Sequence, residues 1–574
     1  MSTATPPTRS DPQTAARDLQ PRDGEPASGR GARVLLWLTV LGVCAGAGLR
    51  IWLFLRNQSQ YYDELMLSLN VAMRSYGELL QPLRPEQVAP PLFLWAQRLM
   101  VDLFGVNDLS LRIVPVLGGI AVPAAAALAG RRLGGWGAAC LCAWATALNP
   151  NLLFYSLSGK PYGQEPLVAA GIVLLTAATL RDRRRWPALL LAGCVAALWC
   201  IPVPFILAGA GAALAVDWLR RPDRRRALAP LAAMAVAWAG TFAIVYLTSY
   251  RDPQTAAYLR RFWAPNFPAN AASVHDAALL FVDGIARPAA LQGPLAMVPI
   301  ALYLALCALG AWDLLRRLGA AYVALLAVPV LGMYAAWAAG QYPLEVRLVL
   351  FALPLHLLLV ALGVTRLGRA LPRRAGAAAV VAACAVLAVL PLRNLAEYLR
   401  VPQFARFRQS IAYVAAHRAP GEPVYVSATA MVTWLFYTTD WRQPETERTR
   451  RIFAWMAATG PNSGNMPSRH APVVHEGYDR VLGTPRGPEL FGVATGSETF
   501  VGSRRTPADP GWGENETDRI RRAAGGSTAW VLLRNFDALD AALRRGGAVE
   551  VDRQDAGAGF TVLRVRFPRP RGDG

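Results

Sequence analysis

Lysine is all but missing from this 574-residue chain: of 59 basic residues, Lys160 alone is lysine and every other is arginine. Acidic residues number 38 and histidines five. The seven cysteines, Cys44, Cys140, Cys142, Cys194, Cys200, Cys307 and Cys384, all fall within apolar runs. A disulfide framework or cysteine metal site in the C-terminal part is thereby excluded. At 54% hydrophobic and 17% charged residues, the composition also excludes a disordered or collagen-like chain. No internal repeat of fixed period and no Gly-rich phosphate loop occurs.

Two properties that are present pull in opposite directions. A formal net charge of +21 suggests a polyanionic partner, whereas a mean hydropathy of +0.28 suggests a lipid-embedded protein. Apolar runs recur at 34–55, 113–130, 136–154, 166–180, 187–201, 203–218, 227–248, 294–312, 319–338, 347–365 and 375–392. These are about eleven candidate spans, most near the ~20 residues a helix needs to cross a bilayer, and helices satisfy their own backbone hydrogen bonds there. The N-terminal 1–33 and the alternate turns at 131–132, 181–185, 217–226, 313–317 and 366–374 together carry +14. The intervening loops 56–112, 155–166, 249–293 and 339–347 sum to zero. By the positive-inside rule the arginine-rich set is cytoplasmic, so the charge is a topology signal and calls for no nucleic acid.

The expected organisation is an α-helical polytopic membrane protein of the cytoplasmic membrane. A disordered cytoplasmic tail, 1–33, precedes a transmembrane domain, 34–395, whose first outer loop is 56–112. A small extracytoplasmic mixed α/β domain, 396–574, follows. In that domain Pro423 to Ser427, Ala529 to Leu533 and Phe560 to Phe567 read as strands, and Arg406 to His417 and Phe536 to Arg545 as helices. Residues 440–525, dense in Gly, Pro, Arg and Thr, read as loop or lid material.

The outer loops carry the candidate chemistry. Tyr62-Asp63-Glu64 stands just past the first span, where capping by acids in a first helical turn and catalysis are equally open. Leu65, Leu69, Ala72 and Met73 give the following segment one apolar side, suiting a helix lying in the interface. Pro90 to Phe104 is too short to span and reads as interfacial or re-entrant. The second loop holds Lys160-Pro161-Tyr162 and Glu165; its lysine is either a snorkelling side chain or a phosphate partner. Tyr342 and Arg347 bracket the last loop.

Taken together, Tyr62-Asp63-Glu64, Pro90-Pro91-Leu92, Phe104-Gly105 with Leu111-Arg112, Gly130 to Gly134, and Tyr155-Ser156 with Lys160-Pro161-Tyr162 resemble the GT-C membrane glycosyltransferases. They are nearest to glycosyltransferase family 39, with the dolichyl-phosphate-mannose protein mannosyltransferases and the bacterial lipid A aminoarabinose transferases. The resemblance spans roughly 34–180. Ala89 and Ser158 depart from the family pattern, which often has Lys, His or Gln before Pro-Pro and Glu two residues before the basic-Pro-Tyr segment. The resemblance implies transfer of a monosaccharide, with inversion, from a polyprenyl-phosphate-linked donor to a protein, lipid or cell-wall glycan acceptor. Asp63 is then the base, with Glu64 second, while Lys160 and Arg347 stabilise the donor phosphate and Tyr62, Tyr162, Glu165 and Tyr342 are substrate contacts. No cofactor is required, although paired carboxylates also suit Mg²⁺ or Mn²⁺. The competing classes are a lipid or glycan transporter, whose ionisable groups belong near the bilayer midplane, and a non-catalytic envelope assembly protein.

Overall fold

A computed structural model describes residues 29–83, 87–222, 224–400, 406–427, 430–439, 441, 499–501, 511–534, 537–555 and 560–568. The expected N-terminal tail lies outside these residues except for its last five, as does 442–498.

The apolar runs become helices. In chain order these are α1 (Arg30–Leu55), α2 (Tyr62–Met73), α3 (Pro91–Phe104), α4 (Ile113–Gly134), α5 (Trp136–Leu148), α6 (Pro150–Ser156), α7 (Glu165–Arg181), α8 (Trp186–Trp199), α9 (Val203–Trp218), α10 (Arg224–Val245), α11 (Pro253–Phe262), α12 (Val274–Ala286), α13 (Met297–Leu318), α14 (Ala320–Ala338), α15 (Leu353–Ala370) and α16 (Arg373–Arg400). Among the described residues, eight helices are long and apolar enough to cross a membrane. Three other expected spans, α5, α8 and α9, are only 13, 14 and 16 residues long. Their local chemistry explains the shortening. Asn149 caps α6 by accepting from the Leu152 N–H at 2.9 Å, and Pro150 occupies the first helical position, so the run 136–154 breaks in two. Pro202 and Pro204 likewise separate α8 from α9.

The helix through Val346–Ala370 is the most enclosed, 83% buried over its apolar window against 17% for α16, so it forms the centre of the bundle. Its partner α13 approaches so closely that a Cβ at Gly310 would collide with the Leu359 carbonyl, and one at Gly363 with that of Leu306. Small residues make such a crossing possible. The arginine-rich turns gather at one end: Arg181 donates to the Arg132 carbonyl at 3.3 Å and Arg317 to that of Leu133 at 3.2 Å.

The first outer loop differs from its expected form. Leu65 to Ala72 is buried on every side of α2, because the C-terminal part covers it. That part contains α17 (Phe407–His417), β1 (Val424–Val426), α18 (Met431–Thr438), β2 (Thr499–Val501), α19 (Trp512–Ala524), β3 (Thr528–Arg534), α20 (Asp537–Arg545), β4 (Val549–Asp555) and β5 (Phe560–Arg566). The sheet order is β2-β1-β3-β5-β4, with β1 parallel to β2 and β3, and β5 antiparallel to β3 and β4. Alternation assigns the two faces. Val424, Val426, Trp530, Leu532, Phe560 and Val562 share one hydrophobic core with Leu65, Leu67, Leu69, Phe93 and Leu94. Tyr425, Ala529, Val531, Leu533, Leu563 and Val565 face Ile520 of α19 and Leu539 and Leu543 of α20. The end of the 440–525 segment, expected as loop, folds as β2 and α19, the latter packing its apolar side on the sheet.

Candidate functional site

Three segments far apart in sequence meet at the bundle end opposite the arginine turns. The first is the start of α2, the second the turn before α7, and the third the strand-like stretch leading into Val346–Val349. They wall a cavity of about 830 Å³, well within the range of small-ligand sites. Tyr62, Asp63, Lys160, Tyr162, Tyr342 and Arg347 all line it, so the fold brings together six of the eight residues singled out above.

Asp63 sits in the first turn of α2, its side chain 42% exposed toward the cavity, and accepts from Arg347 Nη1 at 2.8 Å. The surrounding protein pushes its carboxyl up, but Lys160, Arg347 and two hydrogen bonds outweigh that and hold it below the ordinary carboxylate value. Lys160 is 4% exposed and donates from Nζ to Gln87 Oε1. Burial is the main influence on this ammonium and brings it down to about 8, with Asp63 and Glu64 opposing and Arg347 assisting the fall. Arg347 lies 4.9 Å from the Trp263 ring centre and 5.9 Å from that of Tyr162, within cation–π range.

Glu64 and Glu165 fall outside the cavity lining. Glu64 is buried against Arg112, whose Nη2 donates to it at 2.9 Å. Burial pushes the Glu64 carboxyl up, Asp63 adds to this, and Arg112 only partly offsets them. Two neighbouring acids are thus driven in opposite directions by their surroundings, the arrangement that separates roles in carboxylate pairs. Glu165, at the start of α7, is 1% exposed and accepts from the Ile201 N–H at 3.3 Å.

Other cavity groups carried no local signal. Gln87 holds Lys160, yet nothing in its sequence neighbourhood marks it. Phe242, Tyr246, Tyr250, Phe262 and Trp263 add an aromatic wall from α10, α11 and the π-helical turn Tyr246–Tyr250 between them. Such turns recur at functional sites. Arg260 adds a third cation, whereas Asp63 is the only carboxylate among the described lining residues. No group of three or more His, Cys, Asp or Glu among the described residues could hold a metal ion.

Fold and cavity define a class: a polytopic α-helical membrane protein with a cationic, aromatic-walled cavity at one bundle end and a small C-terminal α/β domain packed on its first outer loop. No protein-family model matches the chain, and no curated protein does. Among solved structures it is similar to ArnT from Cupriavidus metallidurans in the apo state, at 15% identity and a TM-score of 0.49, over 92% of this chain and 97% of that one. The same protein bound to undecaprenyl phosphate matches at 14% identity, with the same TM-score and coverage. The Archaeoglobus fulgidus oligosaccharyltransferase, in complex with Zn and sulfate, is similar at 13% identity and a TM-score of 0.43, over 70% of this chain and 60% of that one. All three lie below a TM-score of 0.5.

Proposed function

We propose that the protein is a membrane glycosyltransferase that moves a monosaccharide from a polyprenyl-phosphate donor to an acceptor arriving from the extracytoplasmic side. The observation that carries this reading is the cavity itself, in which one carboxylate, Asp63, faces two buried or half-buried cations, Lys160 and Arg347. The chemistry needs that combination. An acceptor hydroxyl or amine forms the new bond to the anomeric carbon while the bond from that carbon to the phosphate oxygen breaks. The electron pair leaves with the phosphate, which gains negative charge, and the acceptor gives up its proton. Fixed positive charge stabilises the leaving group, and a carboxylate orients the nucleophile and takes its proton.

Lys160 and Arg347 serve as the phosphate partners in this reading. Asp63 stays ionised beside them, and the aromatic wall receives the sugar or the lipid. Attack from the side opposite the phosphate inverts the anomeric centre. Glu64, held by Arg112, supports the placement of Asp63. The charge partition between the bundle ends supports a cytoplasmic arginine end and an extracytoplasmic site. Transport fits less well, because the charged groups of the cavity lie at span ends and not at mid-depth.

The test uses purified protein in liposomes with undecaprenyl phosphate carrying a radiolabelled pentose or hexose. Release of free undecaprenyl phosphate, dependent on Asp63, is the expected result. Movement of intact donor across the bilayer without its cleavage would establish transport in place of transfer.

A further inference from the structure

The short link that carries the chain from α1 into α2, residues 56–61, has no regular secondary structure of its own, and Asn57 within it takes the left-handed conformation at φ 46°. Asparagine takes that conformation readily just past a helix end, and Asn57 follows the last residues of α1. The C-terminal domain bonds to the link directly. The Arg408 guanidinium donates to the Asn57 carbonyl at 2.6 Å, and the Arg408 N–H donates to Ser59 Oγ at 3.2 Å. Tyr437 OH accepts from the Gln60 N–H at 2.8 Å and donates to Asp108 Oδ1 at 2.8 Å. Gln60 Nε2 reaches the same Asp108 oxygen at 3.3 Å, and Arg408 pairs with the other. Gln60 and Asp108 are 0% and 2% exposed. Asp63 follows Gln60 by three residues.

We infer that the C-terminal domain sets the position of the Asp63 carboxylate, with Tyr437 and Arg408 as positioning residues acting through Gln60 and Asp108. The inference rests on the transferase reading above. Apolar packing alone would hold the domain on the loop through the shared core, with no need for hydrogen bonds converging on three link residues, Asn57, Ser59 and Gln60. What those bonds add is register at the first turn of α2. The geometry there matters because Asp63 must meet Arg347, a residue 284 positions away, and the reacting centre together. A displacement of about 1 Å at a reacting group costs roughly 100-fold in rate.

Tyr437→Phe removes the hydroxyl and keeps the ring. In the full-length protein in liposomes, with whichever undecaprenyl-phosphate pentose or hexose the wild type cleaves, kcat is expected to fall about 10- to 100-fold. KM should stay within about twofold, since donor contacts are untouched. The decisive measurement is the double variant: Tyr437→Phe added to Asp63→Asn should cost nothing further, because both act through one group. Arg408→Lys, which retains charge but loses the planar fork, should show the same non-additivity and serves if the tyrosine variant does not fold. Losses that multiply in the double variant, or unchanged kcat, would overturn the positioning role. A wild type that cleaves no lipid-linked sugar would overturn the transferase reading and this inference with it.

Discussion

At the residue scale the site is a contest between burial and charge. Asp63 keeps its ionised state because two cations outweigh its surroundings, and Lys160 is brought down to about 8 because burial outweighs two acids. Asp63→Asn preserves shape while removing the ionisable carboxylate; if Asp63 is the base, kcat/KM should fall by about 100- to 10,000-fold with the thermal midpoint nearly unchanged. Lys160→Ala should cost roughly 2.7–4 kcal/mol of barrier if its ammonium faces the leaving phosphate. Wild-type activity should then fall as pH rises through about 8, and Lys160→Arg, whose guanidinium stays charged, should move that decline to higher pH. Stability responds in the opposite sense. From about 8 up to the ordinary lysine value of 10.5, the folded chain binds fewer protons at this group than the unfolded chain does. Its contribution to stability therefore rises with pH across that window. Melting curves of wild type and Lys160→Met from pH 7 to 10 should converge toward the alkaline end.

At the scale of elements, α2 is the part whose role changed most between sequence and structure. The apolar positions Leu65, Leu69 and Ala72 gave it the look of a helix with one greasy side, and a lipid interface is the usual explanation for such a pattern near a span. The folded chain instead buries Leu67 and Ser68 on the remaining side as well, because α18 packs there. Leu67→Ala, at a fully buried position, should cost about 2–5 kcal/mol, measured by thermal unfolding in detergent. A surface helix would lose far less. The strands Val424–Val426, Thr528–Arg534 and Phe560–Arg566 were legible because their residues alternate or run apolar over a strand's length. Strand β4 was not, since Val549–Asp555 lies at the sheet edge and carries mostly polar residues.

At the scale of the whole molecule, the C-terminal part is continuous with the membrane domain's first loop through one hydrophobic core. Ending the chain after Arg400 would leave Leu65, Leu67, Leu69 and Phe93 facing water. Such a truncated protein should insert in the membrane yet be cut readily by protease within 56–112, where the full-length protein resists. Equal resistance of the two forms would show that the loop folds without the domain.

Features that follow from neighbours along the chain were legible before folding. Apolar runs of sufficient length mark the membrane helices, the arginine-rich turns mark one end of the bundle, and short apolar or alternating runs mark three of the strands, since each depends on local composition or local charge. Adjacent residues also sufficed to single out Asp63 and Lys160. The folded chain alone turns Glu64 to Arg112 and Asp63 to Arg347, sets Gln87 on the lone lysine, and brings the aromatic wall into the same cavity. Those pairings join residues tens to hundreds of positions apart. Each is chosen by which buried charge finds a partner when the helices close, and no local pattern encodes that choice.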